Sequence, residues 1–335
     1  MPWAALFLGV FVASLAAGLY VRSLFEPLLP GGASKVIEFG TGATTAEIAR
    51  RLEGEGIIKS AWAFRALARY RGLDGRLMAG EYRLSPALSP SAILGMLARG
   101  QVVTYQVTVP EGLTVAEVAA LLEKRGFADS AEFLEAARDV SFLPPDLREG
   151  RQEALLLEPL EGCLFPDTYR LSHSMKPADI VRLMVRRTVQ VLEPYRPRAA
   201  ELRLSLHQVL TLASIIEKEA RVAEERALIS SVYHNRLRLG MKLDACPTVR
   251  YALPGHPASL TFADLQVPSP YNTYLNPGLP PGPIAAPGEA CVRAALYPAD
   301  TAYLYFVARN DGTHVFSRTY AEHLQAVRQY QASPR

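Results

Sequence analysis

Two glutamates occupy positions where carboxylates are least expected. From Ser205 the chain reads Ser-Leu-His-Gln-Val-Leu-Thr-Leu-Ala-Ser-Ile-Ile-Glu-Lys-Glu-Ala, and Ser205 with Gln208 three residues later is the signature of a capped helix start. Projected on a helical wheel, the apolar side chains fill a wide arc with Lys218, His207 and Arg221 opposite. Both carboxylates fall inside the arc, Glu217 near Leu206 and Leu210, Glu219 between Leu212 and Ile215. A carboxyl among apolar groups is desolvated, which disfavours its charged form and raises its pKa, the condition a general acid needs near neutral pH. The competing reading pairs one or both with Lys218, Arg221 or a distant arginine at the helix margin. The wheel does not choose between the two glutamates.

Other chemistries find less support. Ser231 and His234 stand at no recognised nucleophile spacing, and His314 and His323 are isolated and read as structural. Cys163, Cys246 and Cys291 are too few and too far apart for a disulfide framework or a clustered zinc site. No metal or cofactor is expected. Tyr303 to Val307 reads as a buried strand whose aromatics belong to the core. The segment from Tyr271 to Pro287, rich in proline, glycine and hydroxyl groups, reads as an ordered loop.

The elements that position these residues follow from length and pattern. A chain of 335 residues, 49% apolar and 21% charged, has room for roughly two globular domains. Lys+Arg 36 against Asp+Glu 33 leaves a formal charge of +3, far from the excess of a phosphate-tracking protein, so nucleic acid is excluded as a partner. Pro2 to Val21 is a run of twenty uncharged residues, about 30 Å as a helix, and is expected to be a transmembrane anchor over residues 1–21 rather than a cleavable signal peptide. Residues 22–34, with Pro27, Pro30, Gly31 and Gly32, read as a short tether.

Beyond the tether the chain echoes itself. Gly42-Ala43-Thr44-Thr45-Ala46-Glu47-Ile48-Ala49 matches Gly112-Leu113-Thr114-Val115-Ala116-Glu117-Val118-Ala119 at an offset of 70, each after a β-like run. Thr44 with Glu47, and Thr114 with Glu117, each form a capping box. Tyr82-Arg83-Leu84-Ser85 returns as Tyr169-Arg170-Leu171-Ser172, with Pro90 and Pro177 following at equal distance. The expected architecture is therefore α+β: two related small units over 35–105 and 106–190, then a catalytic domain over 191–335. A strand, a capped turn and a helix in small units near an anchor also resemble a LysM-like glycan-binding module.

Several long motifs in order make a specific resemblance. Ala213-Ser214-Ile215-Ile216-Glu217-Lys218-Glu219, Tyr233-His234-Asn235-Arg236-Leu237-Arg238-Leu239-Gly240-Met241, Pro247-Thr248-Val249-Arg250-Tyr251, Tyr271-Asn272-Thr273-Tyr274 and Gly278-Leu279-Pro280-Pro281-Gly282-Pro283-Ile284 closely resemble the YceG-like, or MltG, endolytic murein transglycosylases. The resemblance covers essentially the whole chain. It implies cleavage of nascent peptidoglycan between N-acetylmuramic acid and N-acetylglucosamine, leaving a 1,6-anhydro end. It also implies a single-pass protein of the cytoplasmic membrane, its remainder on the extracytoplasmic side, with cell-wall synthases as possible partners. Carried onto this sequence, it makes Glu219 the acid/base and Glu217 a supporting residue. Tyr271, Tyr274 and Asn272 become candidates to stack on sugar faces and bond acetamido groups, and Asn235 a further substrate contact. One departure stands out: where the family commonly has glutamine and aspartate before Pro-Thr-Val, this chain has Asp244 and Cys246.

One carboxyl suffices for that reaction. Glycosidases that use water need two carboxylates flanking the bond. A transglycosylase glutamic acid protonates the leaving oxygen and then takes a proton from the sugar's own 6-hydroxyl, which closes onto the anomeric carbon. The nucleophile is already tethered. Two rivals remain: a water-delivering muramidase with Asp244 or Glu225 as second carboxylate, and a non-enzymatic glycan-binding scaffold of the cell-wall synthesis machinery.

Overall fold

A computed structural model describes residues 2–257, 259–309 and 311–331. The chain forms two compact units, Met1–Gln106 with Arg170–Met175, and Val107–Tyr169 with Lys176–Arg335.

The first unit begins with α1 (Pro2–Ser23) and continues through β1 (Lys35–Phe39), α2 (Thr45–Gly54), α3 (Ala61–Tyr70), β2 (Gly80–Leu84) and α4 (Pro90–Ala98). β1 and β2 pair antiparallel, with Ile37 opposite Tyr82. Alternate residues Ile37, Phe39, Tyr82 and Leu84 turn inward against Ile48, Leu52, Phe64, Ile93 and Leu97, which makes one closed core. α2 starts where the sequence places it: Thr44 accepts from the Glu47 amide while the Glu47 carboxylate accepts from the Thr44 amide. Gly42, at φ +83, supplies the left-handed turn before it.

The expected transmembrane helix is corrected. Among the described residues, no helix is long and apolar enough to cross a membrane. The side chains of α1 described without interruption run from Phe7 to Ser23. Arg22 sits in its last turn.

The second unit takes up the chain within β3 (Tyr105–Thr108), followed by α5 (Val115–Lys124), α6 (Ser130–Ala136), α7 (Pro145–Arg148), β4 (Thr168–Leu171) and α8 (Pro177–Leu192). β3 pairs with β4, and the division between units falls within both strands. The capping box of α5, Thr114 with Glu117, repeats that of α2. Then come α9 (Arg196–Glu201), α10 (Leu206–Glu219), α11 (Arg226–Arg238), α12 (Cys246–Ala252), α13 (Glu289–Leu296), β5 (Tyr305–Ala308), β6 (His314–Ser317) and α14 (Tyr320–Tyr330). β5 and β6 form an antiparallel pair with Val307 opposite Val315.

α10 is the axis of this unit. Its start carries the Ser205–Gln208 capping box, and every residue from Leu206 to Ile216 except Gln208 is buried. The two hydroxyls in that run turn back on the helix, Thr211 donating to the His207 carbonyl and Ser214 to that of Thr211. Ser214 also accepts from the Ile284 amide, which fixes the proline-rich loop against α10. His207, expected on the polar face, is buried, with Nε2 2.7 Å from the Pro281 carbonyl oxygen. Of the polar arc, His207 meets protein while Lys218 and Arg221 stay exposed.

Candidate active site

The helix separates the two glutamates that the wheel leaves tied. Glu217 turns to the start of α13, where its Oε2 accepts the Gly288 amide at 3.0 Å. Glu219 is the last residue of α10, and Ala220 after it is extended at φ −71, ψ 122. Its carboxyl lies on a cavity of about 600 Å³ that Arg236, Asp244, Cys246, Tyr274, Tyr305 and His314 also line.

Burial pushes the Glu219 carboxyl up to about 7, against the Tyr233 hydroxyl and the Arg250 and Arg221 charges, which pull it down. The C-terminal end of a helix dipole opposes a carboxylate in the same sense as burial. The Tyr233 hydroxyl donates to Glu219 Oε1 at 3.4 Å. Burial and the neighbouring carboxyl hold that phenol well above its ordinary pKa, so it stays a donor. Such a carboxyl is partly protonated at neutral pH and can give a proton to a bound ligand, then take one back.

Arg236 of α11 ties the cavity walls together. Its guanidinium donates to the carbonyls of Leu304, Lys242 and Leu243 and to Asp244 Oδ2 at 2.8 Å, and it lies 5.0 Å from the Tyr305 ring centroid. Asp244 sits at φ 48, a left-handed conformation that aspartate tolerates better than most residues. On the same wall the Cys246 thiol is 3.0 Å from the Tyr274 hydroxyl.

The remaining sequence candidates stand apart from this cavity's lining. Tyr271 is fully buried and packs on Tyr251 at 5.2 Å. Asn272 donates to the carbonyls of Leu265 and Val267 and accepts from the Tyr274 amide, so it shapes the loop that presents Tyr274. Asn235 donates to the carbonyls of Thr301 and Tyr303 and accepts from Arg238. Of the six candidates, Glu219 and Tyr274 share the cavity.

Sequence reasoning missed the opposite wall. The Tyr303–Val307 stretch is strand only from Tyr305 onward, and in β5 only Val307 is buried. Tyr305 and Phe306 line the cavity, as do Tyr320 and His323 of α14. His323 stacks on Tyr305 at 5.2 Å and 23°. A two-stranded sheet has too few neighbours to bury both faces, which no pattern within one strand reveals. Also missed was Glu161, fully buried, which accepts from the Val115 amide and the Tyr251 hydroxyl. Burial pushes its carboxyl up to about 8.

Fold and site together define an α+β protein that presents one desolvated carboxyl, at the end of a buried helix, to an open cleft walled by aromatic and polar side chains. The YceG-like family model matches residues 37–329, and the chain belongs to that family. It is 35% identical over 327 residues to a Bacillus subtilis protein named endolytic murein transglycosylase, across 95% of this chain and 91% of the relative. A Streptococcus pneumoniae protein of the same name is 31% identical over 329 residues, and the match spans 60% of that longer relative. A crystal structure of a YceG-like protein from Listeria monocytogenes superimposes with a TM-score of 0.61 at 34% identity, covering 87% of this chain and 98% of that one.

Proposed function

We propose that this protein cleaves the glycan strands of peptidoglycan as an endolytic lytic transglycosylase, with Glu219 as the acid/base. The carrying observation is the Glu219 carboxyl, raised to about 7 on the wall of an open cavity, in a chain whose relatives are named for that activity. Glu219 protonates the glycosidic oxygen between N-acetylmuramic acid and N-acetylglucosamine, and the muramic 6-hydroxyl closes on the anomeric carbon to leave a 1,6-anhydro end. No outside nucleophile has to be held, which removes the entropy cost of a bimolecular step. Tyr233 holds the carboxyl in place, and Tyr274 offers its ring and hydroxyl to the sugar. Glu217, Tyr271, Asn272 and Asn235 support the site by fixing α13, the proline-rich loop and α11.

The two carboxylates that could activate water both hold other partners. Asp244 is in an ion pair with Arg236, and both Glu225 oxygens are taken by His314, which favours the single-carboxyl route over a muramidase. The first unit carries a cavity of about 540 Å³ lined by Gly42, Thr44, Asp74 and Gly75. It fits a holding role for the strand that the second unit cuts. The place of action is the extracytoplasmic side of the cytoplasmic membrane, where synthases supply nascent strands. Mass analysis of digested strands tests the reading. Anhydro ends are expected; reducing ends would make the protein a muramidase, and intact strands a binding scaffold.

A further inference from the structure

A small cationic cavity shares two walls with the Glu219 cleft. Its volume is about 120 Å³, and Lys218, Arg250 and His256 line it together with Pro247 and Tyr251. Lys218 precedes Glu219 at the end of α10, and Pro247 follows Cys246 at the start of α12. Consecutive residues of both helices therefore line the cleft and then the small cavity. The Arg250 charge also acts on the Glu219 carboxyl, so the guanidinium stands within electrostatic reach of the acid. Glu117 is the one carboxylate in the lining, and it is already committed: its Oε2 accepts the Thr114 amide at 2.8 Å and the Thr114 hydroxyl at 3.1 Å. Lys218 Nζ donates to the neutral Gly112 carbonyl at 3.1 Å, which leaves two of its three hydrogens for another acceptor. His256 stacks on Tyr251 at 5.5 Å and 27°. The volume is well below the roughly 300–1,000 Å³ of cavities that hold whole ligands, so it suits one substituent rather than a sugar. Lysine and arginine together call for an anionic one.

We propose that this cavity binds a carboxylate of the stem peptide carried by muramic residues, a role that rests on the glycan-cleaving reading above. The muramic carboxyl is itself tied up in the amide link to the peptide, so the free carboxylates of such a strand belong to its peptides. The two sugars that alternate along the strand have nearly the same backbone, and a slip by one sugar would bring the wrong glycosidic bond to Glu219. Peptides hang from every second sugar only. A carboxylate held by Lys218 and Arg250 beside the acid therefore fixes the register of the strand in the cleft. The cavity makes no bond and breaks none; it selects which bond the acid meets.

The test uses the full chain and two preparations of uncrosslinked, peptide-bearing strands, one untreated and one whose peptide carboxyls have been converted to amides with carbodiimide and ammonia. Sugars and peptides stay in place and only the charge is removed. Wild-type kcat/KM for release of anhydro ends should be on the order of tenfold higher on the untreated strands, the weight of one charge-assisted hydrogen bond, with most of the difference in KM. Lys218→Gln and Arg250→Gln should each lose most of that preference, and Lys218→Arg should keep it. A change in the acid strength of Glu219 caused by losing the Arg250 charge slows both strands alike and cancels from the ratio. Equal wild-type rates on the two preparations overturn the proposal. So does a preference that survives in Lys218→Gln, including the case in which both rates fall together, as they would for a structural lysine. Should Arg250→Gln fail to fold, Lys218→Gln decides, since that side chain is exposed. Intact strands throughout would overturn the glycan-cleaving reading and this role with it, whereas anhydro ends released equally fast from both preparations overturn this role alone.

Discussion

At position 219 a carboxyl is asked to be an acid in water-poor surroundings, and its chemistry and its stability effect follow from one cause. Glu219→Gln keeps size and shape but cannot exchange a proton, so cleavage should fall on the order of 10²-fold or more, read as anhydro ends released. A general acid works in its protonated form. With the carboxyl pushed to about 7, wild-type kcat/KM should be flat below that pH on this account and decline about tenfold per unit above it. Stability runs the same way, because a carboxyl raised in the folded state favours folding below its unfolded value and loses that contribution as pH climbs through the folded one. For Glu161, raised from an ordinary 4.5 to about 8, the loss should extend over that whole window. Melting temperatures recorded from pH 5 to pH 8 should drop in the wild type and drop less in Glu161→Gln. Equal slopes in the two proteins would mean that Glu161 stays ionised when buried.

Among the elements, what could be read from sequence was what neighbouring residues decide. The capping boxes at Thr44, Thr114 and Ser205 are each closed within four residues, and each forms. The errors involve partners far along the chain: His207 meets Pro281, and β5 owes its half-open state to β6 and α14. Glu217 was legible as anomalous but not as a link between helices, since Gly288 lies 71 residues away. That link makes a prediction for α10 and α13. Glu217→Ala leaves the Gly288 amide without its acceptor, at a cost of about 1–3 kcal/mol, while Glu217→Gln retains an oxygen there and should cost less. Urea denaturation separates the two, and both variants should keep more cleavage activity than Glu219→Gln. Arg236 carries a heavier role, joining α11 to β5 and to the Lys242–Asp244 turn. Arg236→Lys cannot reach that many acceptors and should lose at least ~2 kcal/mol, the scale of one or two charge-assisted hydrogen bonds.

For the whole molecule, an apolar run at the chain start suggested a membrane span, and among the described residues no helix is long and apolar enough to make one. The helix nevertheless leaves Phe7, Leu8, Phe11, Leu15 and Leu19 more than half exposed, an apolar surface larger than globular proteins ordinarily leave uncovered. The first described buried side chain after it is Leu24, and the closed core of the first unit draws on residues from Ile37 onward. Catalysis and fold should therefore be separable from α1. A chain beginning at Ser23 retains the carbonyl that accepts from Lys59 and should melt at the wild-type temperature and release anhydro ends at the wild-type rate. What it should lose is self-association: in detergent-free buffer the full chain is expected to sediment as assemblies and the shortened chain as a single species. A lowered melting temperature in the shortened chain would show that α1 packs on the first unit in solution. Unchanged sedimentation would move the source of association to another surface, such as the exposed Trp62 and Tyr70 of α3.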